Sequence, residues 1–228
     1  MAIDTVFIDA GGVLVFPNWQ RVADALGRHG VRTSGDALAA VELYAKHAVD
    51  TGARGGTDVV RAWRVFDRVF AAAGVTSGAA IAAALSELQD YHAELNLWET
   101  VPADVVPALQ RLRAAGLRLV VVSNANGRIR AALERVGLAP HVDLVIDSHE
   151  EGVEKPDPRI FQRALERAGA RPETILHLGD LFHIDVVGAR GAGLRAVLLD
   201  LAGLYHDHDC ERVASLGELA DVIESERR

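Results

Sequence analysis

The chain holds a single cysteine, Cys210, so no disulfide can form within it. Lysine is almost missing. Lys46 and Lys155 are the only two, and every other basic side chain is arginine. A lysine inside a chemical motif therefore stands out. There is no basic run, and the net charge is −8. This excludes the clustered Lys and Arg with which proteins grip a phosphate backbone, so no nucleic-acid partner is expected. No apolar run reaches the roughly 20 residues that a membrane helix needs. The start shows no charged segment followed by an apolar one, as a secretory leader would. The cysteine usage fits a reducing compartment. Together these absences lead to the expectation of a cytoplasmic protein with no membrane partner. Internal repeats and low-complexity segments are missing as well.

Half of the 228 residues are hydrophobic, enough for one domain or one domain with an insert. Near the N-terminus, Val6-Phe7-Ile8 predicts a short buried strand. From about residue 16 to 96 the pattern becomes helix after helix. Val22, Ala23 and Leu26 share a face, with a stop at Gly30; Ser34 and Thr57 are N-cap candidates for the next two helices. Val59, Trp63, Phe66 and Phe70 form an apolar stripe, read as core, and Ile81, Leu85 and Leu88 mark a fourth helix. Beyond that, strands and helices alternate. Strands are predicted at 117–122, 142–146, 175–178 and 194–199, with helices between them. Asp157-Pro158 opens one helix, and Ser215 with Glu218 forms a capping box for the last. Alternation of this kind implies a doubly wound α/β fold with a parallel sheet. The expected division is an α/β core of residues 1–15 and 97–228, interrupted by an all-helical insert at 16–96.

Four stretches carry chemistry, and each falls at or just after a strand end. Asp9 closes the first strand and is followed by Gly11 and Gly12, which allow a sharp turn and close approach of a ligand. Ser123-Asn124-Ala125-Asn126 lies between a strand and a helix start, where a hydroxyl and free N–H groups suit an anion. Gly152-Val153-Glu154-Lys155-Pro156-Asp157-Pro158 contributes one of the two lysines. Gly179-Asp180, with Asp185 five residues on, adds two carboxylates. Ligands bind at the carboxyl ends of strands in open α/β sheets, so all four stretches can meet at one edge. A nucleophile, an anion cradle, a cation and a carboxylate pair suggest phosphoryl transfer assisted by a hard metal ion.

In motif order and in the place of its insert, the chain resembles the haloacid dehalogenase-like (HAD) hydrolase superfamily, in the group with a helical cap after the first motif. The resemblance covers the whole chain. It implies a Rossmann-like core with a cap, and Asp9 as the nucleophile that forms an aspartyl-phosphate. It implies Ser123 and Lys155 as catalytic, phosphate-binding residues, with Gly11, Gly12 and Asn124 lining the phosphate. It implies Mg²⁺ on Asp9, the Gly11 carbonyl and Asp180, with Asp185 a further ligand or an acid behind the ligands. The implied activity is that of a phosphatase acting on a small phosphorylated metabolite, as a monomer or a homodimer.

One departure matters. Phosphatases of this family usually place a second aspartate two residues after the nucleophile, as general acid and base; here that position is Gly11. Such help is typically worth about 10²–10⁴-fold. The chain is therefore expected to be a slow phosphatase, one suited to good leaving groups, or one with a substitute acid, for which His183 is the nearest candidate in sequence. The alternatives are a phosphate-site binding or regulatory module, a 2-haloacid dehalogenase and a phosphonate hydrolase. The last would use a cap lysine, but Lys46 is read as a solvated helix residue. The cluster His206-Asp207-His208-Asp209-Cys210 is read as a polar surface loop rather than a metal site.

Overall fold

The structure, a computed structural model, describes residues 2–52, 57–76 and 78–227, with the backbone alone for residues 58 and 59. The expected place of the Val59 side chain in the apolar stripe lies outside the described residues. The chain divides into two compact units, Met1–Phe16 with Val101–Arg228, and Pro17–Thr100.

The chain begins with β1 (Thr5–Ile8), and a two-residue strand β2 (Phe16–Pro17) leads into the helical unit. Its helices are α1 (Trp19–Arg28), α2 (Gly35–Asp50), α3 (Asp58–Ala72) and α4 (Gly78–Leu95). They close around Trp19, Leu26, Leu38, Phe66, Phe70 and Leu88. Phe66 is fully buried and lies 4.8 Å from the Trp19 ring, while Trp63 packs on the edge of the cluster. Ser34 caps α2 through the Ala37 N–H, but Thr57, at the start of α3, makes no side-chain cap bond. Gly35 is required by packing, because a Cβ there would meet the Gln20 backbone nitrogen at 2.8 Å. The buried Glu42 carboxylate accepts the Trp19 indole N–H at 2.6 Å. Burial pushes this carboxyl up, against the lowering by Lys46 and Trp19. Lys46, one turn beyond Glu42, is thus half-buried and tied electrostatically to an acid rather than simply solvated.

Strand β3 (Trp98–Thr100) pairs with β2, and the chain then alternates. In order come α5 (Val105–Ala114), β4 (Arg118–Ser123), α6 (Ile129–Arg135), β5 (Leu144–Asp147), a one-turn α7 (Ser148–Glu151) and α8 (Pro158–Ala168). After them come β6 (Ile175–Gly179), α9 (Val187–Gly191), β7 (Arg195–Leu199), β8 (Glu211–Val213) and α10 (Leu216–Glu226). Six strands form one sheet in the order β5-β4-β1-β6-β7-β8, all neighbours parallel. The expected α/β fold with a parallel sheet and a helical insertion is what the chain adopts. Every residue of β1 is buried, as befits a central strand covered on both faces. On one face, Phe7, Val120, Val122, Phe161, Val186 and Leu198 pack together.

The sheet has one strand more than the five expected. In β8 only Val213 is buried, and a three-residue edge strand gives too little alternation to read. The caps that start α8 and α10 match their sequence signals. Asp157 accepts the Arg159 N–H, with Pro158 in the first turn, and Ser215 accepts the Glu218 N–H. Glu218 reaches back to the N–H of Ala214 rather than to that of Ser215.

Candidate active site

Register places the chemistry. Ile8 pairs with Val121 of β4 on one side and with Leu178 of β6 on the other. Asp9 is the next residue, and its N–H donates to the Leu178 carbonyl at 2.9 Å. The residues just past β1, β4 and β6 therefore emerge side by side, at the carboxyl edge where strands on either side of β1 run off in opposite directions. The loop after Asp9 folds back on itself. The Ala10 carbonyl accepts the N–H groups of Leu14 and Val15 at 2.9 and 3.0 Å, and the Gly12 N–H donates to Val15. Of the two glycines only Gly12 takes a left-handed φ, 80°, which a side chain would resist.

Lys155 stands at the centre. It is 1 % exposed, and its Nζ lies 2.9 Å from Asp9 Oδ1 and 2.7 Å from Asp185 Oδ1. The chain holds this lysine from both ends. At the backbone, the Asn124 side chain accepts the Lys155 N–H at 2.7 Å and donates to the Lys155 carbonyl at 2.9 Å. The amide of Asn124, expected among the phosphate-binding groups, is thus engaged on the main chain of the lysine loop. At the ammonium, Asp185 is itself fixed by three neighbours. Its Oδ1 also meets His177 Nε2 at 3.1 Å, and its Oδ2 accepts the Leu181 N–H at 3.1 Å.

Gly179 makes this arrangement possible. A Cβ there would lie 2.1 Å from Asp185 Cγ, so the aspartate can cross the end of β6 only over a glycine. The five-residue spacing from Asp180 to Asp185 is taken up by one wide turn, a π-helical segment at Phe182–Val186. Such turns recur at functional sites.

The carboxyl groups of Asp9, Asp180 and Asp185 are all buried, and one oxygen of each lies within 4.8 Å of the others. Burial is the largest influence on Asp9 and raises its carboxyl; Lys155 opposes it, and Asp185 and Asp180 add to it, leaving Asp9 pushed up to about 7. Burial works against charge on Lys155 too, but Asp185 and Asp9 outweigh it and hold the ammonium well above its usual range. For Asp185, burial is outweighed by Lys155 and His177, and its carboxyl stays well below the usual carboxylate range. The fixed pair is therefore Lys155 with Asp185, and Asp9 is the group that feels the excess of negative charge.

Three buried carboxylates around one ammonium leave an excess of negative charge and an oxygen-only donor set. That is the environment a hard divalent cation takes. Asp9, Asp180 and Asp185 each place one carboxylate oxygen in range of such an ion. The two oxygens of Asp185 already serve Lys155, His177 and the Leu181 N–H.

Ser123 ends β4 and is buried, its hydroxyl 3.4 Å from the Asn124 carbonyl. His183 lies in the same turn as Asp185, but its ring packs against Phe182 and faces His208 at 6.1 Å. Among the described residues, the Asp9–Asp180–Asp185 group is the only set of three such side chains able to share an ion, so the His206–Cys210 segment forms none. Two supporting residues escaped the sequence reading. Ser148 Oγ accepts the Ala125 N–H at 3.0 Å and bridges the loop after β4 to α7. His177 sits in the middle of an apolar strand, where its only sequence signal was to be the one polar residue among Ile and Leu.

Comparison with known proteins places this arrangement. A family model described as haloacid dehalogenase-like hydrolase matches residues 3–193. The haloacid dehalogenase-like hydrolase domain-containing protein 3 of Bos taurus is 36% identical over 132 residues, 58% of this chain and 52% of that protein. The chain thus spans about half the length of that relative. A phosphoserine phosphatase of Thermus thermophilus is 33% identical over 174 residues, 75% of this chain and 70% of its own length. In structure, the chain resembles YfnB of Bacillus subtilis, which is bound to magnesium, with a TM-score of 0.67 at 18% identity, covering 98% of this chain and 100% of that one. On the family match across most of its length, this chain belongs to the haloacid dehalogenase-like hydrolases.

Proposed function

We propose that the chain is a phosphatase that hydrolyses a small phosphorylated metabolite through an aspartyl-phosphate, an acyl phosphate, on Asp9. The carrying observation is the buried Lys155 ammonium, 2.9 Å from the Asp9 carboxylate and held by Asp185. An anionic nucleophile and an anionic phosphate repel each other, and a desolvated cation at that place offsets the repulsion. The acid cluster supports the same reading, and so does the likeness to the Thermus phosphatase.

Asp9 and Asp180, with the Gly11 carbonyl, would hold Mg²⁺, which when bound neutralises phosphate charge and orients the phosphate toward Asp9. The remaining roles fall to the chain. One Asp9 oxygen forms a bond to phosphorus as the bond to the leaving oxygen breaks. Lys155 binds a phosphoryl oxygen, joined by the Ser123 hydroxyl and the main chain at Gly11 and Gly12. Asn124 acts through Lys155 by fixing its backbone. Water then attacks the aspartyl-phosphate, releasing phosphate and restoring the carboxylate. Gly11 has no side chain to protonate the leaving group, so the departing oxygen takes its proton from solvent or leaves as an anion. The helical unit is assigned the part of cap, carrying selectivity among substrates.

The test is a panel of phosphorylated metabolites and p-nitrophenyl phosphate, with Mg²⁺ and with EDTA, beside a halide-release assay on 2-haloacids. Phosphate release that needs Mg²⁺ and is lost in Asp9→Asn is the expected result. Halide release that survives EDTA would overturn the reading in favour of a dehalogenase. A phosphate-binding or regulatory role is the second reading, favoured by Gly11; it predicts phosphate binding without turnover.

A further inference from the structure

We propose that His177 is a positioning residue of this site: its Nε2–H holds Asp185 in the orientation that presents Lys155 to Asp9. The inference rests on the phosphatase reading for its kinetic consequence and on geometry for its substance. His177 is fully buried on β6, between Phe7 of β1 and Ala196 of β7, with its ring 4.9 Å from that of Phe161 and edge-on to it. An imidazole in such a place costs free energy unless it is hydrogen-bonded. Its Nε2 meets Asp185 Oδ1 at 3.1 Å, and its Nδ1 is buried with no hydrogen-bond partner. A carboxylate oxygen can only accept in this pair, so the geometry requires the ring proton on Nε2.

The consequence runs outward from the core. Asp185 Oδ1 serves His177 and Lys155 together, while Oδ2 is held by the Leu181 N–H. With both oxygens fixed and no Cβ on Gly179 beneath, the carboxylate has one setting. In that setting Oδ1 lies 2.7 Å from Lys155 Nζ, which in turn lies 2.9 Å from Asp9. Loss of the His177 donor leaves Oδ1 tied only to the flexible end of Lys155, so the carboxylate can pivot about its remaining anchor at the Leu181 N–H. The ammonium then loses its defined place beside the phosphorus-attacking oxygen. Misplacement of a catalytic group by such an outer partner typically costs about 10–100-fold.

Two measurements decide this. The first compares His177→Gln, which keeps an N–H donor, with His177→Phe, which keeps an aromatic ring and loses the donor. Both are assayed with Mg²⁺ and p-nitrophenyl phosphate, well below their melting temperatures. His177→Phe is expected to lose about 10–100-fold, mostly in kcat, and His177→Gln to recover most of it. A folded His177→Phe enzyme with wild-type kcat would overturn the proposal, as would equal losses in both variants. The second needs no turnover and no core variant. Long-range ¹H–¹⁵N spectra of the histidine rings in the wild-type protein should show one ring, protected from solvent exchange, with its proton on Nε2. That signal should shift in Asp185→Asn. A protected ring protonated on Nδ1, or one unmoved in Asp185→Asn, would refute it. If no phosphate ester is turned over, the phosphatase reading fails while the ring spectra still decide the role of His177.

Discussion

Replacing Asp9 by Asn should make the metal-free protein more stable, and the gain should grow with pH. Asp9 ionises against burial and against Asp185 and Asp180, so its carboxyl is raised from 3.8 to about 7. A group whose pKa is higher in the folded state binds its proton more tightly there. Stability therefore falls as pH rises from about 4 to about 7, and levels off above. At about 1.36 kcal/mol per unit, the shift withholds up to about 4 kcal/mol at pH 8 and less than about 2 kcal/mol at pH 5. Asparagine keeps the shape and carries no charge. Lys155 retains Asp185, so the ammonium is not left alone. For a chain of this size, about 2–4 °C per kcal/mol translates the pH 8 gain into a rise of up to about 8–16 °C. Thermal melts of both proteins in EDTA at pH 5 and pH 8 give the answer, and Mg²⁺ added to the wild type at pH 8 should close much of the gap. A variant no more stable than wild type at pH 8, or a gap that widens as pH falls, would refute the reasoning.

Four further outcomes follow from the structure. Turnover should fall steeply as the leaving-group pKa rises, and Gly11→Asp should raise turnover of alkyl phosphates by about 10²–10⁴-fold. Gly11 lies outside the left-handed φ region, so its backbone conformation admits a side chain; ordinary wild-type rates on sugar phosphates would show that another group supplies the proton. Gly179→Ala forces a Cβ into Asp185, which should cost about 1–3 kcal/mol in denaturant melts and most of the activity. Trp19→Phe takes the indole donor from the buried Glu42, which should lower the stability of the protein by about 1–3 kcal/mol with the ring packing kept.

The α/β architecture was legible because the central strands are short, mostly apolar runs flanked by polar residues or glycine, and the long helices between them carry apolar stripes. The edge strand β8 was not, since Glu211 and Arg212 are exposed and leave Val213 to speak for it. At the site, strand ends gave away Asp9, Ser123 and Asp180, because a polar residue after an apolar run is visible in one dimension. The use made of Asn124 was not visible. Its partner is the backbone of Lys155, 31 residues away, and no side-chain pattern encodes a main-chain bond. Gly179 could be read as a turn residue, but the reason for it is the Asp185 side chain lying across it. His177 was hidden for a simpler reason: one polar residue in a strand this apolar looks like an accident of the core until its ring nitrogen is seen to meet a carboxylate.

The pairing of β1 with β4 has a consequence for how this chain can change. The two strands are neighbours in the sheet, yet about 110 residues separate them, most of them in the helical unit. Loop-closure entropy grows only with the logarithm of length. Closing so long a loop rather than one of about 25 residues costs roughly 1 kcal/mol. The register that sets Asp9 beside the ends of β4 and β6 is thus almost indifferent to what is spliced between residues 17 and 100. Helices could be lengthened, replaced or exchanged with those of a relative while the strand ends beside Asp9 keep their register. The sheet register thus places few demands on the length of the segment carried between its first two neighbouring strands.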